Sequence, residues 1–156
     1  MNHNHLFRRI IDAFDLNHDT LMSICSQAGL DWDDQRIERW LEPIDKKRHE
    51  PMNEQDLAQF LDALIDYRRG KKEGAEPRPP QPLTNNVVLR KLMIALEMQA
   101  VEALGVLETK GIVLSKHELS ALFRKVGHKH YRECSDEVLN GFLDGLEFLD
   151  LWPDQS

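Results

Sequence analysis

The chain has 156 residues, 41% of them hydrophobic and 30% charged, a globular mix long enough to bury about two-thirds of its unfolded surface without staples. Residues 1–70 carry 14 acids against 9 bases and residues 85–156 carry 11 against 8, within a formal net charge of −7. Neither half is therefore the basic block whose affinity for nucleic acid comes from neutralising phosphates.

In chain order, Leu6, Ile10, Ala13 and Phe14 recur at helical spacing and predict a first helix. Leu21, Ile24 and Cys25 predict a second, stopped at Gly29, where a glycine just past the helix end is expected. A third starts after Asp33, with Ile37, Trp40 and Leu41 on its buried face. A fourth follows Asn53, with Leu57, Phe60, Leu61, Leu64 and Ile65 at i, i+3, i+4, i+7 and i+8. Residues 71–84 then hold four of the seven prolines, a composition that forbids helix and favours an extended linker. Val88, Leu92, Ala95 and Leu96 open a second series of helices, followed by Leu104, Val106 and Leu107 with a stop at Gly111. Ser115 and Glu118 have capping-box spacing, and Ser135 caps the last helix. No sustained alternation predicts a strand.

The two series are one pattern repeated. At a shift of 82 positions Asn4 meets Asn86, Arg8 meets Arg90, Ala13 meets Ala95, Gly29 meets Gly111 and Lys47 meets Lys129. Leu57, Phe60, Leu61, Asp62 and Leu64 meet Leu139, Phe142, Leu143, Asp144 and Leu146. Apolar matches, such as Ile24 with Val106 and Ile37 with Leu119, hold the same register. The expectation is an all-α protein made by tandem duplication of a roughly four-helix unit: 1–70 as the first repeat, 71–84 as a Pro-rich linker, 85–156 as the second repeat, the two packed together or side by side.

The second copy reads Asn-x-x-Leu-Arg-x-Leu-x-x-Ala-Leu from Asn86 to Leu96, with apolar equivalents in the first. With the central glycine, Trp40-Leu41, the Phe-Leu-x-x-Leu endings, and His128-Lys129-x-Tyr131-x-Glu133-Cys134-x-Asp136, this resembles the YehS-like bacterial family. The resemblance covers nearly the whole chain. It implies an all-helical, duplicated, cytoplasmic protein, and it supplies no activity, ligand or catalytic residues.

The residues themselves carry little recognisable chemistry. No nucleophile elbow, phosphate loop, His-Glu-x-x-His or dinucleotide fingerprint is present, so no enzyme and no cofactor are expected. His128, His130 and Cys134 match no common zinc spacing, and their repeat partners Lys46, Arg48 and Met52 keep no ligand. Asp31, Asp33 and Asp34 suit the positive end of a helix. Two cysteines are too few for a disulfide framework. The start of the chain lacks a signal-type apolar core and no window approaches membrane-spanning length, so a cytoplasmic protein without membrane contact is expected.

A helix-turn-helix reading of the stretch around Gly29 has Cys25 four residues before the glycine, as required. Ile37 then falls eight residues after it, too late for the standard unit. The second helix would also present Asp33, Asp34, Glu38 and Glu42 to phosphates. What the copies do share is a basic run before the last helix: Lys46, Lys47 and Arg48 in one, and His128, Lys129, Tyr131 and Arg132 in the other. These seven residues are the candidate partner-binding positions. A non-enzymatic interaction or regulatory module binding another macromolecule, most simply a protein, is the leading expectation. Nucleic-acid binding through helix-turn-helix-like units or the paired basic loops is the alternative.

Overall fold

A computed structural model describes residues 2–70 and 78–151. Among them are eight helices and no strand: α1 His3–Ala13, α2 His18–Gln27, α3 Asp34–Leu41, α4 Glu54–Arg69, α5 Asn85–Ala95, α6 Ala100–Glu108, α7 Lys116–Ala121 and α8 Asp136–Leu149. The expected linker conformation over 71–77 lies outside the described residues.

Each helix starts where a side chain can satisfy the free amides of its first turn. Asn2, Asn17, Asp33 and Asn53 accept from His5, Thr20, Arg36 and Asp56 N–H in the first repeat. Thr84, Ser115 and Ser135 do the same in the second. There Glu102 closes the remaining start by accepting from Gln99 N–H at 2.8 Å. All four starts of one repeat sit 82 residues from those of the other. The turns agree too: Asp15 and Glu97 take φ of 48° and 53°, and Gly29 and Gly111 take 73° and 75°. Glycine is free of steric penalty in that left-handed region.

The structure also shows how the repeats join. Arg78 returns along α4, donating to Asp66 at 2.9 Å. Leu83 N–H then reaches the Glu54 carboxylate at the start of α4. The chain thus runs back down α4 before α5 begins, so α4 and α5 are parallel, and Lys91 meets Asp62 about two turns farther on. The repeat-equivalent pair is Arg9 with Asp144, between α1 and α8. The α1 start meets the α4 start through His3 and the Met52 carbonyl. The α5 start meets the α8 start through Asn85 and the Cys134 carbonyl.

The consequence is a ring in the order α1, α8, α5, α4, with each neighbouring pair packed. A pseudo-twofold axis runs along it, and all four helices begin at the same end. The repeats therefore pack together rather than standing side by side as separate bodies, and they share one core. Phe60 and Phe142 are both fully buried in it. Helices α2 and α6 flank the ring against α4 and α8.

Candidate functional site

The common end of the four ring helices carries the two long loops, 42–53 and 124–135. Each is built by the same hydrogen bonds. Lys46 N–H donates to the Pro43 carbonyl and His49 N–H to the Lys46 carbonyl, as His128 does to Lys125 and Tyr131 to His128. Glu50 N–H donates to the Arg39 carbonyl, as Arg132 does to Ala121.

One asparagine then staples each loop to the ring. Asn4 Nδ2 donates to the Trp40 and Glu50 carbonyls at 2.9 and 2.8 Å, and its Oδ1 accepts from Met52 N–H at 2.9 Å. Asn86 donates to the Leu122 and Arg132 carbonyls at 2.9 and 2.7 Å and accepts from Cys134 N–H at 2.9 Å. A side-chain amide has both donors and an acceptor, so it can meet three backbone groups that no helix satisfies. This is the physical content of the Asn4–Asn86 match in the sequence.

The staples fix where the candidate residues stand. Lys46, Lys47 and Arg48 are exposed on one loop, and His128, Lys129 and Arg132 are exposed on the other. Tyr131 is half-buried, in the place His49 takes in the first repeat. All seven lie at the same end of the ring. Among the described residues, none of the loop cations Lys46, Lys47, Arg48, Arg124, Lys125, Lys129 and Arg132 forms an ion pair. Arg36 and Arg39 on α3 are different: Glu50 lies 3.5 Å from one and 3.8 Å from the other, and Asp56 lies 3.7 Å from Arg36.

Two residues of this surface were missed by sequence reasoning. Ile44 and Val126 stand 82 residues apart at the loop tips, 77% and 74% exposed. Their signal was available: an apolar residue at the same position of both copies, inside a run of charge, where helical burial cannot account for it. Each tip is an exposed branched side chain with cations close by in sequence, Lys46 and Lys47 after Ile44 and Arg124 and Lys125 before Val126.

The residues considered for metal binding are not drawn together. Cys134 is buried, its thiol facing the Ser135 carbonyl at 3.6 Å, while the His128 and His130 rings are exposed and face each other at 5.5 Å. Among the described residues no three of His, Cys, Asp and Glu converge. Burial pushes the Cys134 thiol up to about 11, with Asp136 adding to the rise, and burial does the same to Cys25. Asp33 serves as the cap of α3, and Asp34 lies 3.2 Å from His18. Among the described residues no helix is long and apolar enough to cross a membrane.

Comparison with known proteins gives a consistent lineage. The family model described as "Protein of unknown function (DUF1456)" matches residues 3–70 and again 85–149, one match per repeat. The uncharacterized protein YehS of Escherichia coli (strain K12) is 31% identical over 144 residues, covering 92% of each chain. No solved structure matches. The chain belongs to the DUF1456 family, as a two-copy member.

Proposed function

We propose that this member of the DUF1456 family is a non-enzymatic docking module, and that its paired loops engage an acidic surface of a partner protein in the cytoplasm. The observation that carries the reading is the common placement of both loops at one end of the ring. Two equivalent sites can engage one partner together, which raises avidity without any new contact. Among the described residues the loop cations form no ion pair with their own chain, and the exposed Ile44 and Val126 supply apolar anchors within each charged loop. An apolar centre within a charged rim is how protein interfaces are built.

Nucleic-acid binding is the weaker reading. The candidate recognition helix α3 has its two arginines engaged by Glu50 and Asp56, and it exposes Asp34 and Glu38.

The test is affinity capture from bacterial cells with the native chain and with Lys47→Glu/Lys129→Glu, each with and without nuclease. A captured protein that survives nuclease and is lost with the double reversal supports the proposal. Capture abolished by nuclease moves the reading to nucleic acid, whose affinity also falls steeply with salt. Capture indifferent to the reversal removes the loops from the function.

A further inference from the structure

The two repeats differ at one place where the scaffold is otherwise the same. In the first, Trp32 and Trp40 are buried against each other, 4.8 Å apart and edge to face, with Trp32 stacked 6.5 Å from Phe60. Arg36 lies over the Trp40 ring at 4.7 Å, held there by Glu50 and Asp56, and Arg39 adds to the same cluster. The indoles are thus covered by a lid of ion pairs.

The repeat-equivalent residues in the second copy are Leu114 for Trp32, Leu122 for Trp40, Ala121 for Arg39 and Val138 for Asp56. Both indoles and most of the lid are gone. What stands there is a pocket of about 360 Å³ between α7, α8 and the second loop, with Leu114, Ala121, Leu122 and Val138 among its lining. That volume is within the roughly 300–1,000 Å³ of small-ligand sites.

The rim has exchanged charge as well. Glu118 replaces Arg36, and Arg132 replaces Glu50. Glu118 is already engaged, accepting from Ser115 N–H at 2.9 Å. That bond holds its carboxyl below the usual range. The Arg132 guanidinium has no hydrogen bond or ion pair among the described residues. His117 and His130 complete that side, their rings 6.4 Å apart, and Glu133 borders it as the one remaining acid.

We propose that this pocket binds a small aromatic carboxylate. The ring takes the space that an indole fills in the first repeat, and the carboxylate meets Arg132. A flat ring suits the vacancy because the same helices and loop already accommodate one 82 residues earlier. A carboxylate suits the rim because a guanidinium pairs with it through two parallel N–H bonds. Its place at the mouth corresponds to that of the Arg36 guanidinium, which pairs with Glu50 in the first repeat, with the signs of both partners reversed.

The probe is indole-3-acetate, titrated into the full chain and followed by amide and methyl resonances, with indole as the ring-only control. The expected result is saturable shifts centred on Leu114, Ala121, Leu122 and Val138, with indole at least tenfold weaker. Leu122→Trp, which puts the first repeat's residue into the space, should weaken binding at least tenfold. Ala121→Arg provides the same test from the rim should the tryptophan not fold, and circular dichroism confirms the fold of either. Arg132→Gln should weaken the acid about tenfold and leave indole unchanged. Shifts absent at millimolar ligand, shifts centred elsewhere, or binding indifferent to the variants would overturn the site. Indole binding as tightly as the acid would overturn the role of Arg132. None of these readouts depends on the docking of a macromolecule at the loop tips.

Discussion

Replacing Asn86 by alanine removes one side chain and strands three backbone groups: the carbonyls of Leu122 and Arg132 and the Cys134 N–H. A made hydrogen bond contributes about 1 kcal/mol net, and a buried group left unpaired costs about 1–3 kcal/mol. Asn86 is only 7% exposed, so water reaches these groups poorly. The expected loss is about 3–5 kcal/mol. Asn4 makes the same three bonds from a half-buried position. Water can replace part of them there, and Asn4→Ala should cost less, about 2–3 kcal/mol. Asn86→Asp keeps the acceptor for Cys134 but turns a carboxylate toward two carbonyl oxygens, so it should be no better than alanine. Urea denaturation of the three variants, read by helical circular dichroism, gives the values directly. In a chain of this length each kcal/mol moves the midpoint temperature by about 2–4 °C. A loss below about 0.5 kcal/mol for Asn86→Ala, or an aspartate as stable as the native residue, would refute the staple.

Deleting a fully buried ring should be costly in both repeats: Phe60→Ala and Phe142→Ala should each lose roughly 3–5 kcal/mol in the same assay, since each leaves a cavity as well as lost transfer energy. The glycines of α8 should behave oppositely. A Cβ on Gly145 would stand 2.5 Å from the Val106 carbonyl oxygen, so Gly145→Ala must push α6 from α8 and should cost about 1–3 kcal/mol. At Gly141 the Cβ would meet the far end of the Ile112 side chain, which can turn away, and Gly141→Ala should be near neutral by thermal denaturation. Both thiols are raised from 9.0 to about 11. Their folded-state pKa lies above the unfolded one, so the stabilisation is present below about pH 9 and lost as pH rises toward 11. Melting temperature should fall over that window, and by less in Cys25→Ala/Cys134→Ala. An equal fall in both chains would contradict the burial of the thiols.

The helices were legible because each carries its own evidence: a cap, an apolar stripe and a stop within some ten residues. The register of the duplication was legible for the same reason, since the core positions of two copies must fill like spaces. The ring order was not. It depends on Lys91 reaching Asp62 and on Arg9 reaching Asp144, contacts 29 and 135 residues apart in the chain. Only their repeat equivalence could have hinted at them. Nor could residues 78–83, rich in proline, announce that they lie down along α4, because they have no amphipathic face to read. The pocket was hidden for a further reason. It consists of volume that is missing, and Leu122 alone looks like any core leucine. Set against Trp40 in the same register, it becomes a vacancy.

That contrast also bears on why the two copies have diverged where they have. Packing about a pseudo-twofold axis makes the chain equivalent to a dimer whose halves are covalently joined, so each face of the ring had to remain compatible with its counterpart. The ion pairs Arg9–Asp144 and Lys91–Asp62 keep that constraint, changing only arginine for lysine. So do Asn4 and Asn86, which hold the loops, and Phe60 and Phe142, which fill the core. Away from the axis the constraint lapses. Among the described residues α3 packs mainly on α1 and α7 on α6, each within its own repeat, and there one copy has spent its volume on a closed tryptophan cluster while the other has left it open. The closed copy even tolerates a buried Trp40 N–H with no hydrogen-bond partner among the described residues, at a cost of about 1–3 kcal/mol. A covalently joined pair allows this division of labour, because one repeat can hold the fold while the other keeps an accessible cavity.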